Sequence, residues 1–196
     1  MTRRRYLAVT VLAAMGVAAA STVEAPLRLI WNATASAPVG FYTVEPADAL
    51  GVPELVAIMP PEPLAAFMVG RGYVGRGIPL LKRVLGLPGQ QVCRTGRTIT
   101  VDGIEMGEAL ERDSHGRDLP IWQGCRVIGD GQIFLMNWDV SDSLDGRYFG
   151  PIPASSVIGR AVPLWTDEEG VGRFEWRADA LISPNHKETD HARQYL

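Results

Sequence analysis

Histidine and cysteine are scarce in this chain of 196 residues, which has three of the first and two of the second. His186 and His191 fall in a polar C-terminal stretch, and His115 falls in the loop-like "DSHGRD". None lies in a strand-rich context, so a Ser-His-Asp triad lacks its base. Cys93 and Cys125 make no CxxC pair, which argues against a zinc site. They fit either one disulfide in an oxidising compartment or two unrelated buried thiols. Neither a metal nor another cofactor is expected. Basic charge is short as well. Once Arg3, Arg4 and Arg5 are set aside, 16 Lys and Arg face 22 Asp and Glu. An acidic body argues against nucleic acid as the main partner. After the N-terminal segment no apolar run is long enough for a membrane span.

That segment reads "MTRRRYLAVTVLAAMGVAAAS". Three arginines precede an uncharged run over residues 6–23 that ends in small residues. It suits a cleaved signal peptide or an uncleaved anchor, and its length favours the anchor. Either way the arginines stay in the cytoplasm and the rest is exported. The expected organisation is residues 1–24 as basic flank and transmembrane anchor, 25–166 as an exported domain, and 167–196 as a strand and polar tail.

Twenty-one glycines and fourteen prolines imply many turns and a β-rich fold. Strands are expected at 27–31, 40–44 and 54–59, the last stopped by Pro60 and Pro61. "EPLAAFMVGRGY" has an early proline followed by helix formers, which predicts a short helix. "PLLKRVLGL" reads as a buried strand and "SSVIGRAVPLW" as a last core strand. "RTITVDGIEM" is a hairpin around Asp102-Gly103, and "CRVIGDGQIFLMNW" repeats that pattern around residues 129–131. "GRFEWR" adds one more strand, and a mobile tail is expected from Ser183. The fold class is mostly antiparallel β with one or two short helices, behind one N-terminal transmembrane helix.

Three places offer chemistry. In "NATASAPVGFY", Ser36 sits in a turn of small residues pinned by Pro38 and Gly40. A nucleophilic serine needs such a stiff, open site with backbone N–H groups nearby. In "IPLLKRVLGLPG", Lys82 stands among Leu80, Leu81, Val84 and Leu85. An ammonium is costly to desolvate there, so burial lowers its pKa and makes it a general base; a strand lysine snorkelling to water is the plain alternative. In "SDSLDGRYFGPIP", Asp145 and Arg147 can pair, and Ser143 can hydrogen-bond an amine. Taken singly, each place is also an ordinary turn, strand or surface loop.

In this order, "SAP" after an N-terminal span, "LLKRVLGLPG" and "SDSLDGRYFGPIP…VIGRA" resemble the signal peptidase I-like serine–lysine peptidases, and most of all their TraF-type conjugal transfer branch. The resemblance covers residues 3–165. It implies a signal-peptidase-like catalytic domain, with Ser36 as nucleophile and Lys82 as general base. It implies Thr34 and the Ser36 N–H as oxyanion donors, Ser143 as the serine that holds the lysine amine, and Asp145 and Arg147 as its supporting pair. It also implies that Cys93 and Cys125 are paired, because the interval containing "DSHGRDLP" looks like the same branch. There are departures: Gly146 where members often carry serine, Gln90 where they often carry Asp, "NWDVSD" in place of "GDNRDN", and "APVGFY" in place of a methionine-led segment. These point away from housekeeping signal peptide cleavage and toward the specialised branch.

The implied substrate is a membrane-associated, pilin-like precursor or a signal peptide, presented beside membrane lipid. The implied place is the bacterial inner membrane, crossed once, with the N-terminus in the cytoplasm and the catalytic domain in the periplasm. General leader peptidase activity is one alternative, and a catalytically silent periplasmic scaffold is another. A self-cleaving repressor is disfavoured, because the chain has an export signal and no DNA-binding half.

Overall fold

A computed structural model describes residues 3–20 and 27–178. Its first element, α1 (Arg3–Ala20), has 18 residues, of which Arg3, Arg4 and Arg5 are charged. Among the described residues no helix is long and apolar enough to cross a membrane. Residues 21–23 of the expected span, and the tail from Ser183, lie outside the described residues.

Period-two alternation produces several strands where the sequence reading placed them. In β2 (Val39–Glu45) Gly40, Tyr42 and Val44 turn inward. β3 (Leu55–Ile58) is apolar at all four positions and buried on both faces. The larger sheet is antiparallel, in the order β1 (Leu29–Asn32), β2, β11 (Val157–Asp167), β3, β4 (Leu80–Gly86), β9 (Gln132–Leu135) and β10 (Ile152–Pro153), with β12 (Glu175–Trp176) added to β11. The smaller sheet runs β7 (Ile104–Glu108), β6 (Thr98–Val101), β5 (Gln91–Thr95) and β8 (Gly124–Val127). Helix α2 (Glu62–Gly70) opens with proline in its first turn, and α3 (Gly146–Phe149) is a single turn.

The Asp102-Gly103 hairpin forms with positive φ at both residues, 49° and 80°, as a type I′ turn requires. The second expected hairpin does not form. β8 pairs with β5 and β9 pairs with β4, so the two strands around Gly129 belong to different sheets. The cause lies at Ile128, whose side chain is buried in the apolar cluster between the two sheets. Its N–H donates to the Gln90 carbonyl at 2.9 Å, and its carbonyl accepts from Gly89 N–H at 2.9 Å. Residues 87–90 are the crossing from β4 to β5, so the chain passes between the sheets twice, side by side. Gln90 closes this crossing: Leu87 N–H donates to its Oε1 at 2.9 Å, and its Nε2 donates to Asp102 at 2.7 Å.

Four apolar clusters fill the described body, the smallest being Ala109, Leu119 and Tyr148. Ile30, Tyr42, Val44, Leu55, Ala57 and Leu81 pack on one face of the larger sheet, and Val56, Ile58, Val84, Ile133 and Leu135 on the other. Leu85, Val92, Ile99, Trp122, Ile128 and Phe134 join the two sheets. Each Val, Leu, Ile or Phe among them contributes about 1.5–3 kcal/mol on burial. Close approach of β2 to β11 demands glycine at position 40, where a Cβ would lie 2.2 Å from the Trp165 carbonyl oxygen.

Cys93 and Cys125 face each other across β5 and β8 and are joined as a disulfide, with Sγ atoms 2.06 Å apart. The bridge closes a loop with a sequence separation of 32. Replacing both cysteines with serine is expected to cost about 2–4 kcal/mol, because the unfolded chain regains that loop's freedom. Urea unfolding of the double variant beside the wild type checks it.

Candidate active site

Asn32, the last residue of β1, folds the Ser36 loop over itself. Its Nδ2 lies within hydrogen-bond distance of the carbonyls of Thr34 (2.8 Å), Ala37 (2.9 Å) and Pro38 (3.0 Å). Its Oδ1 accepts from Thr34 N–H and from Thr34 Oγ1, the latter at 2.9 Å. An Asx side chain serving its own following turn is a familiar local device. Tyr42 adds a second tie, donating to the Pro38 carbonyl at 2.7 Å.

Ser36 Oγ stands 3.2 Å from Thr34 Oγ1. The Thr34 hydroxyl has one proton, and Asn32 Oδ1 accepts it, so Ser36 is the donor in this contact. Thr34 must therefore turn from Asn32 before it can donate to an oxyanion. Ser36 is half-buried and lines a cleft of about 430 Å³ together with Ala35, Leu55, Arg83, Asp139 and Glu168. Asp167 and Glu169 also line it, so four carboxylates stand against one guanidinium. Asp167 already caps the Val171 and Gly172 N–H groups, while burial raises the Glu168 carboxyl above its ordinary range.

Lys82 stands on the sheet face that carries Val56 and Val84 and is not among the residues that line this cleft. Only 4% of it is exposed. A small cavity beside it is lined by Ile58, Leu64, Met68, Leu135 and Phe149. Its Nζ donates to Ser143 Oγ at 2.8 Å. Burial in these surroundings pulls the amine down to about 8, against the upward pull of Asp145 and Asp142; Arg147 adds to the lowering. Among the described residues Ser36 Oγ and Lys82 Nζ share no hydrogen bond. Catalytic contacts of this type commonly tighten only when substrate binds.

Asp145 forms its ion pair with Arg147, and acts on the lysine only through its charge. The guanidinium meets both carboxylate oxygens, through Nε at 2.9 Å and Nη2 at 2.8 Å. The carboxylate also accepts the N–H groups of Asn137 and Arg147, the latter as the N-cap of α3. Nη2 also lies within hydrogen-bond distance of the carbonyls of Asn137, Val140 and Ser143, and Nη1 donates to that of Ser141. One planar fork thus shapes the loop that presents Ser143, a task a lysine point charge would do poorly. The smaller sheet braces this loop: the buried Arg94 donates to the Arg147 carbonyl at 2.7 Å, and Trp122 donates to that of Gly146.

Asn137 is the joint that the sequence reading passed over. Its Nδ2 donates to the Ser36 carbonyl and, at 3.2 Å, to that of Leu81, while its Oδ1 accepts Arg83 N–H at 2.8 Å. The one available signal was an asparagine at the exit of a strand, opening "NWDVSD". Gly146 also gains a reason: a Cβ there would lie 2.5 Å from the Phe134 ring and 2.6 Å from the Leu135 carbonyl. His115 is exposed and touches its neighbour Ser114. Among the described residues no group of three or more His, Cys, Asp or Glu is placed to hold a metal ion.

The family described as "Signal peptidase, peptidase S26" matches residues 2–165. A "Conjugal transfer protein TraF" of Agrobacterium fabrum is 37% identical over 147 residues, covering 69% of this chain and 81% of the relative. A "Probable conjugal transfer protein TraF" of Sinorhizobium fredii is 35% identical over 169 residues, 79% of this chain and 87% of the relative. A "Plasmid transfer protein TraF" of Escherichia coli is 32% identical over 145 residues, with coverage of 69% and 81%. The chain belongs to the signal peptidase, peptidase S26 family.

Proposed function

We propose that the chain is a membrane-anchored serine endopeptidase with a Ser36–Lys82 dyad, and that it matures an exported precursor, a pilin-like protein of conjugative transfer. The observation that carries this reading is Lys82: almost fully buried, lowered to about 8, and held by Ser143 Oγ at 2.8 Å. Neutral Lys82 accepts the Ser36 proton as Oγ attacks the scissile carbonyl. The Ser36 N–H and the Thr34 hydroxyl receive the oxyanion. Collapse expels the leaving amine, which takes the proton back from Lys82, and leaves an acyl-enzyme. Water, or the precursor's own amino terminus, then releases the acyl group and gives a linear or a cyclic product. The conjugal transfer names of the relatives favour a pilin-like precursor over housekeeping leader peptides.

The anchor and its placement, with the N-terminus in the cytoplasm and the domain in the periplasm, are part of the proposal. The arginines before the apolar run favour that orientation. An aromatic ladder supports a membrane-facing side: Trp31 and Phe41 lie 4.7 Å apart, and Trp165 and Phe174 4.5 Å apart. Trp31 and Trp165 are exposed, and such rings favour the headgroup region of a bilayer. A cleft dominated by carboxylates disfavours nucleic acid.

The test is the intact mass of a pilin precursor co-expressed with the wild type, Ser36→Ala or Lys82→Ala. Shortening by the wild type alone supports the dyad, and the mass separates hydrolysis from cyclisation. Equal shortening by all three assigns the cleavage to another protease. A pH profile gives a second check. Catalysis needs the neutral amine, whose fraction grows with pH. kcat/KM is therefore expected to rise about tenfold per unit below pH about 8 and to level off above it. A rate that stays flat from pH 5 to pH 10, across which the neutral fraction of this amine rises about a thousandfold, would remove Lys82 as the titrating base.

A further inference from the structure

We infer that Asn137 is the positioning residue that sets Ser36 against Lys82, and that the buried Asp145–Arg147 pair acts on the site through it. The inference rests on the Ser–Lys reading. Its starting point is where backbone pairing stops. Met136 N–H donates to the Arg83 carbonyl at 3.0 Å, and the chain then leaves β4. The Asn137 side chain takes over the next rung. It donates to the Leu81 carbonyl and accepts from Arg83 N–H, the two backbone groups on either side of Lys82. A primary amide has the donor and acceptor of a peptide unit, so it extends the ladder where the backbone has turned away.

The same Nδ2 donates to the Ser36 carbonyl. One planar group therefore holds the strand that carries the base and the residue that carries the nucleophile. Its own place is fixed from behind: Asn137 N–H donates to Asp145 Oδ2 at 3.0 Å, and its carbonyl accepts from Arg147 Nη2 at 3.1 Å. Only 4% of Asn137 is exposed, so water does not readily replace these bonds. The position asks for two donors and one acceptor on a one-methylene stem. Aspartate supplies no donor when ionised, glutamine is a methylene too long, and serine has a single proton. Asn137 touches neither Ser36 Oγ nor Lys82 Nζ, so it acts by placement. A misplacement of about 1 Å costs about 10²-fold in rate.

The test uses the purified full chain as wild type, Asn137→Ala, Asn137→Asp and Ser36→Ala. Two readouts are taken: amide hydrogen exchange by mass spectrometry, and Ser36-dependent acetylation by p-nitrophenyl acetate, counted by intact mass. Both Asn137 variants are expected to acetylate about 10²-fold more slowly. Residues 33–38 should exchange faster while residues 91–101 of the smaller sheet keep their protection. The acetylation pH profile of Asn137→Ala should keep its midpoint, and that of Asn137→Asp should move up, because the new carboxylate favours the ammonium. If Asn137→Ala does not fold, Asn137→Asp, which keeps the volume and the acceptor for Arg83 N–H, carries the test. The inference is overturned if exchange at 33–38 and acetylation both stay within about threefold of wild type. It is equally overturned if exchange rises alike at 33–38 and 91–101, since that marks a general loss of structure. If the wild type shows no Ser36-dependent acetylation, the Ser–Lys reading fails, and the exchange pattern alone decides whether Asn137 positions the loop.

Discussion

Ser36→Ala and Lys82→Ala are each expected to lower precursor processing by on the order of 10⁴-fold or more, and the double variant to be little worse than either. The non-additivity follows from mechanism: without the base the hydroxyl is a poor nucleophile, and without the hydroxyl the base has no proton to take. Lys82→Arg is the sharper variant. It keeps a cation near Ser143, but a guanidinium does not deprotonate in a protein, so it is expected to be as inactive as alanine. Initial rates of precursor shortening, read by intact mass, decide this. A Lys82→Arg enzyme with a tenth or more of wild-type activity would sink the general-base role. Stability should move differently. Lys82→Met replaces a buried amine among Ile58, Met68 and Leu135 with an apolar chain of similar length, so its melting temperature should equal or exceed that of the wild type.

Arg147→Ala is expected to cost about 3–5 kcal/mol of stability. It strands the Asp145 carboxylate in the interior and leaves the Asn137, Val140, Ser141 and Ser143 carbonyls without their shared donor. Urea unfolding measures it, and a loss below about 1 kcal/mol would show that water or another cation fills the gap. The same change has a signature in catalysis. The guanidinium pushes the Lys82 amine down, while Asp145 pulls it up. With Arg147 gone, the upward pull of Asp145 and Asp142 is no longer opposed by the guanidinium, so the rising limb of the pH profile should move to higher pH. A limb that stays in place while stability falls would separate the structural role of the pair from its electrostatic one.

The sequence carried much of this site because its parts are local. Glycine and proline mark the Ser36 turn, and four aliphatic neighbours announce that Lys82 is desolvated. Asp145 and Arg147 are two residues apart, within reach of one another whatever the rest of the chain does. The Asp102-Gly103 hairpin formed for the same reason, since its turn chemistry is complete within the dipeptide.

The second expected hairpin failed because Gly129 carries the same turn signal, yet the partners of β8 and β9 are chosen by distant strands. The expected anchor rests on an apolar run over residues 6–23, of which the described helix covers 6–20 with the three arginines at its start, and among the described residues no helix is long and apolar enough to cross a membrane. Gly146 looked like a departure from pattern, and it is a packing requirement set by Phe134. Asn137 was invisible for a related reason. Its partners Ser36 and Leu81 lie 101 and 56 residues away, and its value lies in an amide standing where a backbone rung is missing.

By itself, then, the sequence singled out Ser36, Lys82, Ser143, Asp145 and Arg147 as candidates and indicated that burial would lower the lysine pKa, because hydrophobicity and turn propensity act on near neighbours. Only the tertiary structure decided which strands pair across the two sheets, how the Ser36 loop is tied to the Lys82 strand, and why position 146 has no side chain. Those depend on close packing and hydrogen-bond satisfaction between segments far apart in the chain, and neither leaves a local mark.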